Sequence, residues 1–504
     1  MTTTWRELGY LTPELVVLLG AAAVLLLDLF LPRGRRRVLG GVALVPLGVA
    51  LGWVLRALWA QSGGPSQLHK VFGALLLRDP YSLGFDVVFL VAAILGVLLS
   101  LRYVEREALP AGEYYALTLF AVFGMMMMAM SAELITLFIS YEILSLAVYV
   151  LAGIARGRAV SAEASLKYFL LGAFASGFLV YGIALVYGAT GTTVLYDPLG
   201  QSASTISGLI LERGLFGNAL LLAGLALLVV GIAFKAAIVP FHAWVPDVYE
   251  GAPLPVTAFM SAGVKAAAFA AFARLLFGGF RNLGEVWQPV LWVLAVLTMV
   301  LGNAAAIRQQ NVKRMLAYSS IAHAGYLLVA LAAYTARDVA IGSVLYYALT
   351  YTAMGVGAFA ILLVVGQEGE ANQELSDYRG LASRHPWAAA AMGLFMISLA
   401  GFPLTAGFLG KFYILNAALR ADLDGLAVVL GLASVVSWYY YLRVVWFMYM
   451  TEVPKAAVRP ISRATSLGVA VAVAALLVIA LGVFPSTALA VAQMAGHTLL
   501  PLGY

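Results

Sequence analysis

The chain has no cysteine. That excludes disulfides, iron–sulfur clusters and thiolate metal sites together. Histidine is scarce: His69, His242, His323, His385 and His497 are scattered, and no two sit at a helical spacing that would hold a haem or a metal between them. Electron transfer through a cofactor bound in this chain is therefore not expected. Charge is the third shortage. Asp, Glu, Lys and Arg make up 11% of the 504 residues, against roughly 25% in a soluble domain. A long chain so poor in charge cannot cover a water-facing surface, and with 63% hydrophobic residues it must face lipid. The net charge of +6 is too modest to suggest a nucleic-acid partner.

What is present is a series of apolar runs. The first, Leu11–Leu31, is long enough to cross a bilayer and is followed by Arg33, Arg35, Arg36 and Arg37. A secretory signal carries its positive charge before the apolar run, so this run reads as a retained anchor. Runs bounded by charge, Gly/Pro or polar clusters predict about fourteen helices, near 11–31, 38–60, 80–101, 114–130, 132–154, 164–188, 218–240, 255–277, 287–306, 315–334, 338–366, 387–419, 424–450 and 466–494. The fold class is all-α and polytopic. Alternate loops differ in charge: the set holding Arg33–Arg37, Arg102, Arg106, Arg156, Arg158, Arg308, Lys313, Arg314, Arg379, Arg384, Lys455, Arg459 and Arg463 is about twice as basic as the other. The positive-inside bias puts that set in the cytoplasm and, with an even span count, both termini on the outer, periplasmic side.

A weak internal repeat relates Ala164–Gly172 (ASLKYFLLG) to Ser343–Tyr351 (SVLYYALTY). One helix beyond each, an apolar run is interrupted by proline, at Pro240 and Pro403. An offset of five helices inverts the halves, and paired broken helices in inverted halves belong to transporters.

Charges lie inside these spans although one ionised side chain at the bilayer centre costs about 2.5–3.5 kcal/mol on insertion scales. Glu142 and Lys265 lie about 15 Å into their helices and His323 about 12 Å. Lys235 sits one turn before Pro240, and Lys411 two turns after Pro403. A helix-interior proline frees backbone polar groups, which membrane depth tolerates only beside protein or water. Each break thus predicts a hydrated cavity where a lysine can exchange its proton, and burial makes a lysine switchable near neutrality. An ion pair that only fixes helix packing is the alternative for these four charged groups. Lys167 is open between relay and snorkelling, His323 between relay and packing, and Asp86, about 10 Å into its span, is ambiguous. Glu133 reads as a helix-end residue and Met125–Met128 as soft packing.

Phe234–Pro253 (FKAAIVPFHAWVPDVYEGAP) closely resembles the proton-channel signature of the antiporter-like subunits of respiratory complex I, the proton-translocating NADH:quinone oxidoreductase. Tyr141–Leu146 (YEILSL), Lys313–Tyr326 (KRMLAYSSIAHAGY), Gly401–Lys411 (GFPLTAGFLGK), Pro13-Glu-Leu and Leu27-Asp-Leu-Phe agree, and the tail from Asp247 through Lys265 is similar to N-type members and less so to their L- and M-type relatives. The resemblance covers nearly the whole chain. It implies fourteen helices with an inverted five-helix repeat and two broken helices, divided as N-terminal helices (1–112), a first repeat of helices 4–8 (113–280), a second of helices 9–13 (281–452) and a last helix (453–504).

By matching motif, Glu142 and Lys235 become the acid–lysine pair of the first half-channel, Lys265 and His323 the central axis, and Lys411 the exit, with Lys167 and His242 in support. The implied partners are M- and L-type subunits, small membrane subunits, a hydrophilic redox arm holding FMN and iron–sulfur clusters, the quinone pool and lipid, in the cell's inner (plasma) membrane. Multisubunit cation/proton antiporters and membrane-bound hydrogenases share the superfamily and are the nearest alternative. A quinone-reducing enzyme and a purely structural subunit are the others.

Overall fold

The structure is a computed structural model that describes residues 7–32, 36–61, 67–199, 204–366, 370, 373–452 and 464–499. Met1, Arg33, Arg35, Lys455, Arg459, Arg463 and Tyr504 lie outside the described residues.

Apolar runs become helices because lipid satisfies no backbone hydrogen bond. Among the described residues, thirteen helices are long and apolar enough to span a membrane. The first eight are α1 (Thr12–Phe30), α2 (Val38–Gln61), α3 (Pro80–Arg106), α4 (Ala111–Met130), α5 (Leu134–Ala152), α6 (Ala159–Thr190), α7 (Ala219–Ala236) and α8 (Leu254–Gly279). Then follow α9 (Gly284–Arg308), α10 (Val312–Ala332) and α11 (Arg337–Val365). The shorter α12 (Pro386–Ala400) and α13 (Ala406–Arg420) form one broken crossing and bring the spans to fourteen. After them come α14 (Asp424–Tyr449), α15 (Thr465–Val483) and a short α16 (Ser486–Thr498). The run 466–494 is thus two helices, parted by the turn at Phe484 and Pro485.

The local signals are readable. Glu133 caps α5, its carboxylate accepting from the backbone N–H of Ile135 (2.9 Å) and Thr136 (2.6 Å), so α4 and α5 are separate. Asp79 caps α3 in a capping box with Ser82. α7 ends at Ala237 in the left-handed region (φ 65°), and a short helix, Trp244–Gly251, follows the Pro240 turn. α12 ends at Gly401 (φ 87°) before the Pro403 turn. The broken helix is the fourth of five in α4–α8 and again in the run from α9 to α14.

Loops gather at two ends. At one end Arg37 meets Glu105, Arg158 and Lys313 meet Glu370, and Arg314 meets Asp247 and Glu250. At the other a small hairpin, β1 (His69–Val71) on β2 (Leu76–Arg78), pairs with Ser131, and Glu133 pairs with Val194. α8, α10 and α11 are almost wholly buried at the centre, while α1, α2, α6 and α15 turn most of their surface outward. The charged groups of α8 and α10 are therefore shielded from lipid by protein.

Candidate functional site

Lys235 lies in the last turn of α7 and is 1% exposed. Its ammonium has no hydrogen-bond partner. It faces three aromatic rings instead: Tyr141 at 5.0 Å and Tyr149 at 4.9 Å, both on α5, and Tyr168 at 5.1 Å on α6. The negative faces of these rings attract a cation, each by about 0.5–2 kcal/mol. Trp244 stacks on Tyr168 (4.3 Å) and donates its indole N–H to the Phe234 carbonyl (3.0 Å), so one acceptor at the helix end is already occupied. Glu142 follows Tyr141 in sequence and so points to a different face of α5. It is half-buried, and its carboxylate accepts from Ser176 of α6. The two charges act on each other without touching: Glu142 lies within electrostatic reach of Lys235 but makes no ion pair with it.

Lys265 is near the middle of α8 and 2% exposed. Its ammonium donates to the backbone carbonyl and the hydroxyl of Ser320 on α10, beside the ring of Tyr351 (5.6 Å). His323, one turn further along α10, bonds through Nδ1 to the Tyr347 hydroxyl (2.6 Å) and through Nε2 to the Tyr441 hydroxyl (2.9 Å). Tyr441 in turn bonds Ser319. Tyr326 packs edge-on to His323 (5.2 Å) and lies under the Lys411 ammonium (5.0 Å). Lys411 on α13 donates to the carbonyls of Leu399 (3.0 Å) and Ala400 (2.9 Å) and to the Ser434 hydroxyl (2.9 Å). Those carbonyls end α12, so a cation meets the negative end of a helix dipole. Lys265 of the last helix of the first half and Ser320, His323, Tyr326 and Lys411 of the second half thus form a line of polar and aromatic side chains. Such hydroxyl and imidazole groups both give and take protons.

The remaining expected residues lie apart. Lys167 is partly exposed and bridges Glu163 (2.7 Å) and Asp247 (2.8 Å) at the basic-loop end. His242 sits in the α7 break with Nδ1 buried and unbonded. The amide freed in that break at Val239 donates to the Thr298 hydroxyl of α9 (3.1 Å).

One buried site is built on Lys313 and Arg158, which the sequence places only among the basic-loop charges. Lys313 is wholly buried and donates to Glu370 (2.6 Å) and to the carbonyls of Glu250 (2.9 Å) and Ala252 (2.7 Å). Glu370 also accepts from Tyr103 and from the amide of Leu254, both at 2.6 Å, and pairs with Arg158 (3.4 Å). Burial alone would push the Glu370 carboxyl up, but Lys313 and Arg158 outweigh it and hold the group below the usual carboxylate range. This network ties α3, α6, α8 and α10 together.

Residues 131–437 match the family described as NADH:quinone oxidoreductase/Mrp antiporter, TM. NADH-quinone oxidoreductase subunit N of Trichlorobacter lovleyi is 45% identical over 443 residues, 88% of each chain. Subunit N of Chloroflexus aggregans is 44% identical over 490 residues, covering 97% of this chain and 96% of the relative. Among solved structures, a chain of respiratory complex I from Thermus thermophilus with bound aureothin superposes with a TM-score of 0.77 at 34% identity, over 95% of this chain and 98% of that one. A chain of an archaeal membrane-bound sulfane sulfur reductase superposes with a TM-score of 0.83 at 25% identity, over 98% of each chain. With a family match across most of its length and relatives above 40% identity, the chain belongs to the antiporter-like transmembrane subunits of NADH:quinone oxidoreductases and Mrp antiporters, and within them to the subunit N relatives.

Proposed function

We propose that this chain is a proton-translocating membrane-arm subunit of an NADH:quinone oxidoreductase. Redox chemistry in other subunits drives it, and no electron passes through it. The observation that supports this best is the line from Lys265 through Ser320, His323 and Tyr326 to Lys411. In this reading Glu142 sets the charge on Lys235 across a gap, Lys265 and His323 carry the proton along the bundle, and Lys411 delivers it. Lys167 and His242 support the path near the basic-loop end. The division at residues 112, 280 and 452 follows the two five-helix runs.

FMN and iron–sulfur clusters would reside in partner subunits. M- and L-type subunits, small membrane subunits and a redox arm would complete the assembly, with the quinone pool as electron acceptor. The membrane is the cell's inner membrane, with the basic-loop end in the cytoplasm and both termini outside. A cation/proton antiporter subunit is the second reading, favoured by the matching family's description, which names Mrp antiporters beside NADH:quinone oxidoreductases.

The test uses the purified assembly reconstituted in vesicles. Co-purifying flavin and iron–sulfur polypeptides separate the two readings. Lys265→Ala should depress proton pumping in an assembled complex. Lys265→Arg should fail as well, because a guanidinium holds its proton too tightly to pass it on. Full pumping by the assembled arginine variant would overturn the relay.

A further inference from the structure

The end of the bundle opposite the basic loops holds a second charged cluster, away from the lysine line. Arg78, the last residue of β2, is 2% exposed and reaches into the bundle between α1 and α3. One of its terminal nitrogens donates to Asp86 of α3 (2.7 Å), the other pairs with Glu14 of α1, and Nε donates to the Tyr10 carbonyl (3.0 Å). Glu14 and Asp86 are both 0% exposed, and the two terminal nitrogens of one guanidinium hold their carboxyls side by side.

The neighbouring pair is different. Arg274 of α8 forms two 3.0 Å bonds with Asp79 and also bonds Tyr196 and the Ala129 carbonyl. One cation there meets one anion, with the guanidinium bonded on every nitrogen.

Charge counting decides what the first cluster holds. Two carboxylates share one guanidinium, so the fully ionised trio would bury a net negative charge in an apolar wall. The other charged or titratable groups facing it do not cancel that excess. Arg274 is committed to Asp79, and Tyr81 and Tyr10 donate or stack as neutral side chains, Tyr81 to the Ala270 carbonyl (2.6 Å) and Tyr10 on His69 (ring centroids 4.0 Å). From α2 the Trp53 ring lies 6.0 Å from Arg78 and brings no charge. Two oxygens, Glu14 Oε2 and Asp86 Oδ1, have no donor at all although both are fully buried. Two acids facing one another at close range relieve this by keeping one hydrogen between them.

We propose that Glu14 and Asp86 form a proton-binding site that keeps one exchangeable proton on the pair, with Arg78 balancing the remaining charge. On release, the shared O–H bond breaks and the proton passes to water on the side of half-buried Tyr10, whose carbonyl accepts from Arg78. The site changes from neutral to −1, and uptake reverses the step. The site stands independently of the lysine relay, so failure of one leaves the other standing.

The proposal is tested by infrared spectroscopy of the purified complex at neutral pH, in H2O and D2O. Wild type minus Glu14→Gln, and wild type minus Asp86→Asn, should each reveal a protonated-carboxyl carbonyl band that shifts in D2O. The band should vanish in both single variants, because each leaves one carboxylate matched to Arg78. Both variants should assemble at wild-type yield for the same reason. The double variant, which strands Arg78, should lose most of its assembled complex. A wild-type spectrum without such a band, a band surviving in either single variant, or one indifferent to D2O would each overturn the shared proton.

Discussion

Lys235 and Lys411 each stand beside a broken helix, yet the two breaks hold their lysines by opposite means. Lys411 follows its break and takes up carbonyls that the break left free, with three oxygens within 3.0 Å. Lys235 precedes its break, meets no acceptor, and rests among three tyrosine rings. Hydrogen-bonding oxygens stabilise the ammonium specifically and fix its position. Ring faces attract the cation weakly and pack equally well against the neutral amine. In the proposed relay the charge on Lys235 is therefore open to control by Glu142, a group that does not touch it, whereas Lys411 is held by its own helix end.

Lys313 supplies a third mode, a contact ion pair, and gives the largest expected effect. Glu370→Gln leaves a buried ammonium without its counter-charge and should destabilise the subunit by roughly 3–5 kcal/mol. Thermal unfolding of the complex, or the amount of subunit retained on a native gel, measures it. Because the Glu370 carboxyl is held below its ordinary value, its contribution is complete at neutral pH and fades as the pH falls through the folded-state pKa. The difference between variant and wild type should accordingly close below about pH 4.

Lys411→Met removes a charged donor from three acceptors. Bonds to charged groups are worth about 1.5–3 kcal/mol each. Water and the remaining donors at Ala400 recover part of this, so a loss of about 2 kcal/mol in the same assay is expected, together with lost pumping. Gly172→Ala attacks the ring cage. A Cβ at Gly172 would stand 1.9 Å from the Tyr149 hydroxyl and 2.5 Å from its ring, so Tyr149 must leave the lysine. About 1 kcal/mol of cation–ring attraction goes with it. Pumping should fall as in Tyr149→Leu, whereas Tyr149→Phe, which keeps the ring, should remain near wild type. Lys235→Met should cost least. Its side chain has no hydrogen bond to lose, and a thioether suits aromatic neighbours, so stability should stay within about 1 kcal/mol while pumping stops. Equal destabilisation by Lys235→Met and Lys411→Met would erase the contrast.

The sequence shows most of the fold because lipid imposes a simple rule of length and apolarity. Fourteen crossings, both proline breaks and the division at Glu133 are legible from runs, prolines and one capping acid. The split at Pro485 is not, since an apolar run reads through a turn that tertiary packing introduces. In the site, the depth of Glu142, Lys265 and His323 could be counted along each helix. Their neighbours could not. The cage around Lys235 draws on α5 and α6, and Glu370 lies in a connection with no periodic signal, more than fifty residues from Lys313. Glu14, Arg78 and Asp86 converge from α1, β2 and α3, which no single-helix count can place together.

α8 carries Lys265 at the start of an α-helical stretch, Lys265–Ala273, bracketed by two π turns, Met260–Val264 and Arg274–Gly279. A π turn absorbs one extra residue, and one residue corresponds to about 100° of rotation in an α-helix. The nine residues between are therefore out of phase with both ends of their own helix. A helical wheel drawn through α8 from Leu254 would aim Lys265 about a quarter-turn away from Ser320. The same geometry makes the stretch a shaft with a coupling at either end. Moving the first coupling past Lys265 would turn that one side chain while Leu254 and Gly279 stay where they are.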